Sequence, residues 1–321
     1  MRLLLLLMLF LPGLLRAAPL VAPPGYTRPL PHRLAGGCVP LPAPWTGALR
    51  FASKYEGSDG ARATLNPRAE AAFRDATRPI AEFERGISTM VWRYRQSGDP
   101  ATLACILQGY RAWADAGALT STQTNYSGRA MRKWALATLA TGWLEINAPA
   151  GNARVERWLG ALAERVVKEW DGLPQNKINN HSYWAAWAVM TTGVALDRRD
   201  LFDWSVKIFR TAAGQIGADG RLPNEQKRGE RALAYHNYAL QPLVMMASFA
   251  RANGVDLLEE NNGALARLAE YVLSQPKTDP AWLEPWCAMT RCDATTLALR
   301  DDARPLTSRR AGGNLTVLYQ P

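Results

Sequence analysis

The sequence predicts an all-α protein, and three observations carry that prediction. Between Pro67 and about residue 275, segment after segment places apolar residues at three-and-four spacing, and each is bounded by Gly, Pro, Asn or Asp. Runs that alternate apolar and polar residues are absent apart from "LTVLY" at 315–319, which reads as one weak strand. At 321 residues, with 48% hydrophobic residues, 21% charged residues and 12 Trp, the chain is long and apolar enough to bury a large core.

The chain opens on "MRLLLLLMLFLPGLLRAA", with one early Arg, an apolar run from Leu3 to Leu15 and small residues at Ala17 and Ala18. This is the layout of a secretory signal over residues 1–18. A retained anchor is the competing reading, but the run is short for a span, which needs about 20 apolar residues. Export is therefore expected, with no membrane attachment after cleavage. Residues 19–45 are crowded with Pro and Gly and read as an extended leader laid on the body. Residues 46–321 are expected to form a single helical domain. Near its start "SKYEGSDGARATLN", 53–66, has the polarity and length of an exposed functional loop. Helical patterns follow at 66–79, 80–98, 99–117, 128–146, 153–170, 181–196, 198–216, 231–254 and 262–275. Helices of similar length joined by short turns stack as antiparallel pairs, which close into a ring around a groove or run on as a solenoid. No fixed-period repeat demands the solenoid.

Export permits disulfides, and Cys38, Cys105, Cys287 and Cys292 make an even count. The short "CAMTRC" loop makes Cys287 with Cys292 the natural local pair, which leaves Cys38 with Cys105. A zinc site is the weaker reading, because that spacing is wide and no His lies near it. No metal or organic cofactor is expected. The net charge is +10, and removing Arg2 and Arg16 with the signal leaves 10 − 2 = +8. Such an excess favours an anionic partner, and for an exported protein that is an acidic polysaccharide rather than nucleic acid.

Two stretches concentrate reactive side chains. In "INNHSYWAAWA", Asn179 or Asn180 caps a helix, and His181 and Trp184, three apart, share one face. Asn, His and Trp together offer amide donors, a titratable imidazole and a flat apolar surface. A capped helix carrying core aromatics accounts for the same residues. In "RGERALAYHNYALQP", Arg231 and Tyr238 lie seven apart, about two turns, with Tyr235 between them. A guanidinium beside a phenol favours the phenolate and makes it a base; a Tyr stripe packed on a neighbouring helix is the bland alternative. Lys54 and Arg62 stand in the 53–66 loop, where a lid over an anion would need them. Gln123 lies near a helix start with Asn125, Arg129 and Trp134 as a further sugar contact. There is no glycine-rich phosphate loop after a strand and no GxSxG elbow. Glu225 and Glu230 are the one acidic pair near these motifs, and their cationic neighbours would spoil a glycosidase acid.

In their order and separations, "SKYEGSDGARATLN", "NNHSYWA" and "RGERALAYHNYALQPL" resemble the alginate lyases of polysaccharide lyase family 5, the poly(β-D-mannuronate) lyases, from about Cys38 to Leu299. The resemblance implies an incomplete (α/α) toroid with a central groove, a periplasmic location, and β-elimination at the 4-O-glycosidic bond of mannuronate-rich alginate without a cofactor. It makes Asn180 and Arg231 the groups that neutralise the substrate carboxylate, and His181 and Tyr238 the proton-transfer residues. Lys54 becomes a lid residue, and Trp184 a stacking or supporting one. Gln123, Arg62 and Tyr235 complete the substrate contacts. The expected partner is alginate or polymannuronate, with the alginate secretion machinery a further candidate. A lyase for another polyuronate such as polyglucuronate, or a noncatalytic polysaccharide-binding protein, are the alternatives.

Overall fold

The computed structural model describes residues 18–59, 62–275 and 280–320. The expected signal segment, apart from Ala18, lies outside them. The helices, in chain order, are α1 (Pro67–Ser97), α2 (Pro100–Asp115), α3 (Tyr126–Glu145), α4 (Ala153–Trp170), α5 (Asn180–Ala195), α6 (Arg199–Gln215), α7 (Pro223–Gln226), α8 (Ala232–Ala252), α9 (Glu260–Leu273), α10 (Leu283–Met289), α11 (Ala294–Asp302) and α12 (Leu315–Leu318). Side chains start most of the long ones as helix-capping chemistry requires: Asn66, Asp99, Asn125 and Asn179 each accept backbone N–H groups of the first turn.

The helices form two layers. The inner layer runs α1, α3, α5, α8 and the outer layer α2, α4, α6, α9, each helix packing on its layer neighbour and on its pair mate. The fold is an (α/α) toroid, and it is incomplete, because α1 and α8 do not pack on each other as the other inner neighbours do. Helix α5 is central and touches α3, α4, α6 and α8; nearly all its residues from Asn180 to Val194 are buried, as its lack of a polar face demands.

Two expectations change. The patterns at 66–79 and 80–98 are one helix of 31 residues that passes through Pro79. Proline removes the bond to the Asp75 carbonyl, but Asp75 is exposed, so water can serve that oxygen while the faces on either side stay packed. "LTVLY" is not a strand: Asn314 caps it by accepting from Val317 N, and residues 315–318 make one helical turn. The strands β1 (Thr307–Ser308) and β2 (Gly313–Asn314) lie just before it and pair antiparallel.

The segment from residue 19 to residue 45 runs over the helical body with a single 3-10 turn at Pro24–Tyr26. Arg95 of α1 donates to the carbonyls of Gly25, Tyr26 and Arg28, and the Tyr26 hydroxyl donates 2.6 Å to the Ala311 carbonyl. Arg28 donates to Val317 O at 2.9 Å, and a Cβ on Gly25 would stand 1.6 Å from Leu318 O, so only glycine fits there. The leader thus straps the C-terminal turn to α1. Cys38 is bonded to Cys105 of α2, and Cys287 to Cys292 between α10 and α11. Among the described residues no helix is long and apolar enough to cross a membrane, and no cluster of His, Cys, Asp and Glu could hold a metal ion.

Candidate active site

The inner helices and the 53–66 loop surround a groove of about 480 Å³. Its lining carries Lys54, Arg62, Arg228, Arg231, Arg309 and Arg310 against one carboxylate, Glu84. A cleft lined by one sign of charge concentrates the opposite sign.

Helix α5 contributes most of the precise geometry. Asn179 accepts from His181 N at 2.9 Å and is the N-cap, so Asn180 opens the first turn and His181 faces the groove. Glu225 of α7 holds Asn180 by three contacts: it accepts the backbone N–H at 2.6 Å, and the side-chain Nδ2 lies 3.0 Å from both carboxylate oxygens. The Asn180 Oδ1 is buried without a partner among the described residues.

One turn further along, Trp184 and Trp187 anchor the opposite wall. Trp184 Nε1 donates 3.1 Å to the Tyr238 carbonyl, which lacks its usual helical donor because the residue four places on is Pro242. Trp187 Nε1 donates 2.7 Å to the Arg310 carbonyl. The two residues so held meet: Arg310 Nη1 donates 2.9 Å to the Tyr238 hydroxyl. Burial pushes the Tyr238 phenol above its ordinary value, and the Arg310 guanidinium pulls against that rise.

A second phenol cluster lies across the groove. Arg231 Nη1 donates 2.6 Å to the Tyr55 hydroxyl, which is 2.5 Å from that of Tyr235, and the Arg228 guanidinium sits 3.7 Å over the Tyr235 ring. Burial opposes ionisation of Tyr55, but the Tyr235 hydroxyl with Lys54, Arg231 and Arg228 brings its phenol below the ordinary value. The loop is pinned over this cluster, with Arg228 donating to Arg62 O at 2.8 Å and Asp59 accepting from Ala63 and Thr64 N.

Residues 50–283 match the family model for alginate lyase. The chain belongs to the alginate lyase family. It is 49% identical to an alginate lyase of Pseudomonas putida strain F1, over 95% of this chain and 92% of that one, and 48% identical to one of Pseudomonas aeruginosa PAO1 at the same coverage. Among solved structures it is similar to a tyrosine-to-phenylalanine variant of alginate lyase A1-III complexed with a tetrasaccharide, with a TM-score of 0.77 and 25% identity over 91% of this chain and 88% of that one.

Against this alginate lyase framework the groove gathers Lys54, Arg62, Asn180, His181, Arg231, Tyr235 and Tyr238. Two expected substrate contacts are not there. Gln123 is exposed outside the groove, its backbone carbonyl accepting from Leu49 N. Trp184 is 1% exposed and cannot stack on a sugar, so of its two expected roles only support remains. The pairing of Arg231 with Tyr238 also fails. Helix α8 begins at Ala232, leaving Arg231 in a 3-10 turn outside the helical register, and the guanidinium at Tyr238 is that of Arg310. His236 is structural, its Nε2 accepting from Leu222 N. Sequence reading missed Tyr55, which adjoins Lys54 in the loop, and Arg310, in "TSRRAGGN", where no periodicity points to a site.

Glu225 is 1% exposed outside the groove lining with its carboxylate taken up by Asn180, so it does not face a substrate as a glycosidase acid must. Burial pushes its carboxyl up from 4.5 to about 6, with the Asn180 donors pulling the other way. Its folded-state value is raised, so the protonated form is favoured in the fold, and the penalty for Glu225 grows as pH rises from about 4.5 to about 6 and is constant above. Urea unfolding of Glu225→Gln is expected to gain roughly 2 kcal/mol on the wild type across that window, then run parallel to it. A difference independent of pH would contradict a raised Glu225 carboxyl.

Proposed function

We propose that this protein is an alginate lyase that cleaves mannuronate-rich polymer by β-elimination. The observation that carries this reading is the Tyr238 hydroxyl bonded to Arg310 in a cationic groove that also presents His181 and Asn180. The proton at C5 is weakly acidic because the carboxylate beside it opposes further negative charge. The guanidinium of Arg231 neutralises that carboxylate and stabilises the enolate-like transition state, whereas the Asn180 amide nitrogen, expected to share that task, is taken up by Glu225. Tyr238, as phenolate, takes the C5 proton. The electron pair forms the C4–C5 double bond, the C4–O4 bond breaks, and the phenol returns its proton to O4. In mannuronate both positions lie on one face of the ring, so a single residue serves. His181 holds or polarises the reacting ring. The new chain ends are an unsaturated uronate and a free 4-hydroxyl.

Incubation with polymannuronate, polyguluronate and polyglucuronate should raise the ultraviolet absorbance of the unsaturated product most with the first. No rise with any of the three sinks the reading, and a preference for polyglucuronate reassigns the substrate. Turnover is also expected to fall as salt rises from 50 to 500 mM, conditions of roughly 14 to 4 Å Debye length, because six groove cations attract a polyanion. Salt-independent kcat/KM counts against that account. The N-terminal signal pattern supports a periplasmic location, and residues 46–321 act as the lyase unit.

A further inference from the structure

Lys133 stands behind the groove, one helix away from the reacting residues. It is 0% exposed, in the middle of α3. Its ammonium lies 4.3 Å from the centre of the Trp134 ring and 4.8 Å from that of Trp170. Among the described residues its one hydrogen-bond partner is His181 Nδ1, at 3.0 Å. No carboxylate among the described residues pairs with it. A lysine without a counterion is among the costliest residues to bury, and here it is spent on a single imidazole nitrogen.

The His181 ring is held on its other sides as well. It lies parallel to Trp170, 2° apart in plane, with Tyr126 edge-on at 5.1 Å and Trp134 at 5.6 Å. These contacts fix where the ring sits and leave Nε2 for the groove. They do not decide which nitrogen carries the proton; the partner of Nδ1 does that. The charges that act on the ring are cations, Lys133 on α3, Arg228 before α8, and Lys54 and Arg62 in the loop, and the one carboxylate of the groove lining, Glu84, accepts from Thr138. Glu225, the carboxylate beside the first turn of α5, is occupied by Asn180. An imidazolium has nothing to stabilise it there.

We propose that Lys133 is a positioning residue that donates to Nδ1 and locks His181 as the neutral tautomer with its proton on Nε2. His181 then offers the groove an N–H donor. Within the lyase reading, on which this rests, His181 polarises the uronate or steadies the Tyr238 phenolate, and it does not remove the C5 proton from either epimer. Burial and the cations nearby, which hold both the imidazole and the Lys133 amine well below their ordinary values, agree with a neutral ring. The two indole faces favour the amine in its ammonium form, a pure donor.

The test is the tautomer itself. In the ¹⁵N-labelled full chain, two-bond ¹H–¹⁵N spectra report which imidazole nitrogen is protonated, and there are three histidines to assign, His181 by comparison with His181→Gln. The wild type is expected to keep the proton on Nε2 throughout the neutral range. In Lys133→Met, which fills the site without a donor, a mixture of tautomers should appear. There kcat on polymannuronate should drop roughly tenfold to a hundredfold, with KM changed less than about threefold. A wild-type His181 protonated on Nδ1, or a Lys133→Met spectrum identical to the wild type, overturns the proposal. The wild-type spectrum decides even if the variant does not fold. Failure of the lyase reading would look different: no unsaturated product from any polyuronate, whatever the tautomer.

Discussion

Tyr238→Phe is expected to lower kcat on polymannuronate by roughly 10²- to 10⁴-fold, toward the upper end because one hydroxyl both takes and returns the proton. The fold should hardly notice. The hydroxyl is bonded to Arg310, but the ring stays packed on Trp184 at 5.1 Å, and the anchoring bond from Trp184 goes to the backbone carbonyl, which the substitution keeps. Thermal unfolding and binding of a mannuronate oligosaccharide should therefore match the wild type, so the loss appears in kcat and not in KM. A Tyr238→Phe enzyme retaining full turnover would move the base to Tyr55, the groove phenol that the Tyr235 hydroxyl, Lys54, Arg231 and Arg228 bring below its ordinary value.

Arg310→Met should be the next most severe change, at roughly 10²- to 10³-fold in kcat/KM. Burial already raises the Tyr238 phenol, and Arg310 is the cation that opposes the rise. The sign follows directly. With the guanidinium gone the phenol moves higher, less phenolate is present at neutral pH, and the rising limb of the pH–rate profile shifts to higher pH. Each unit of that shift corresponds to about 1.4 kcal/mol of lost preference for the phenolate. Activity should recover in part as pH increases, which a simple loss of substrate affinity would not produce. If instead the profile keeps its shape and only KM rises, Arg310 is a carboxylate clamp and does not tune the phenol.

The helices were legible because burying one face leaves a periodic trace, and this chain is nearly all such faces. What escaped was whatever periodicity does not encode. Pro79 read as a break, yet the turn whose bond it removes faces solvent, so packing on both sides overrides the local rule. Arg231 was placed beside Tyr238 by counting seven residues along a helix that in fact starts one residue later. The true partner, Arg310, comes from 72 residues further on and stands in a short turn between two-residue strands. Nothing local links the two. That the Trp184 indole N–H holds Tyr238 depends on a proline four residues beyond Tyr238, and that the Trp187 indole N–H holds Arg310 depends on a turn more than 120 residues away. Lys133 does leave a local trace, a cation inside the apolar run "RKWALATLA" where a solvated face is impossible.

The strap at the N-terminus has a consequence in time as well as in space. Arg310 is held at the groove by Trp187, and the turn that follows it is tied down by Tyr26 and Arg28, residues made nearly 300 codons earlier. A chain emerging from synthesis presents the residues of α1 to α8, Tyr238 among them, before it presents Arg310, the guanidinium that bonds the phenol. The groove is armed by its last contributor, when the two distant ends of the described chain have found each other.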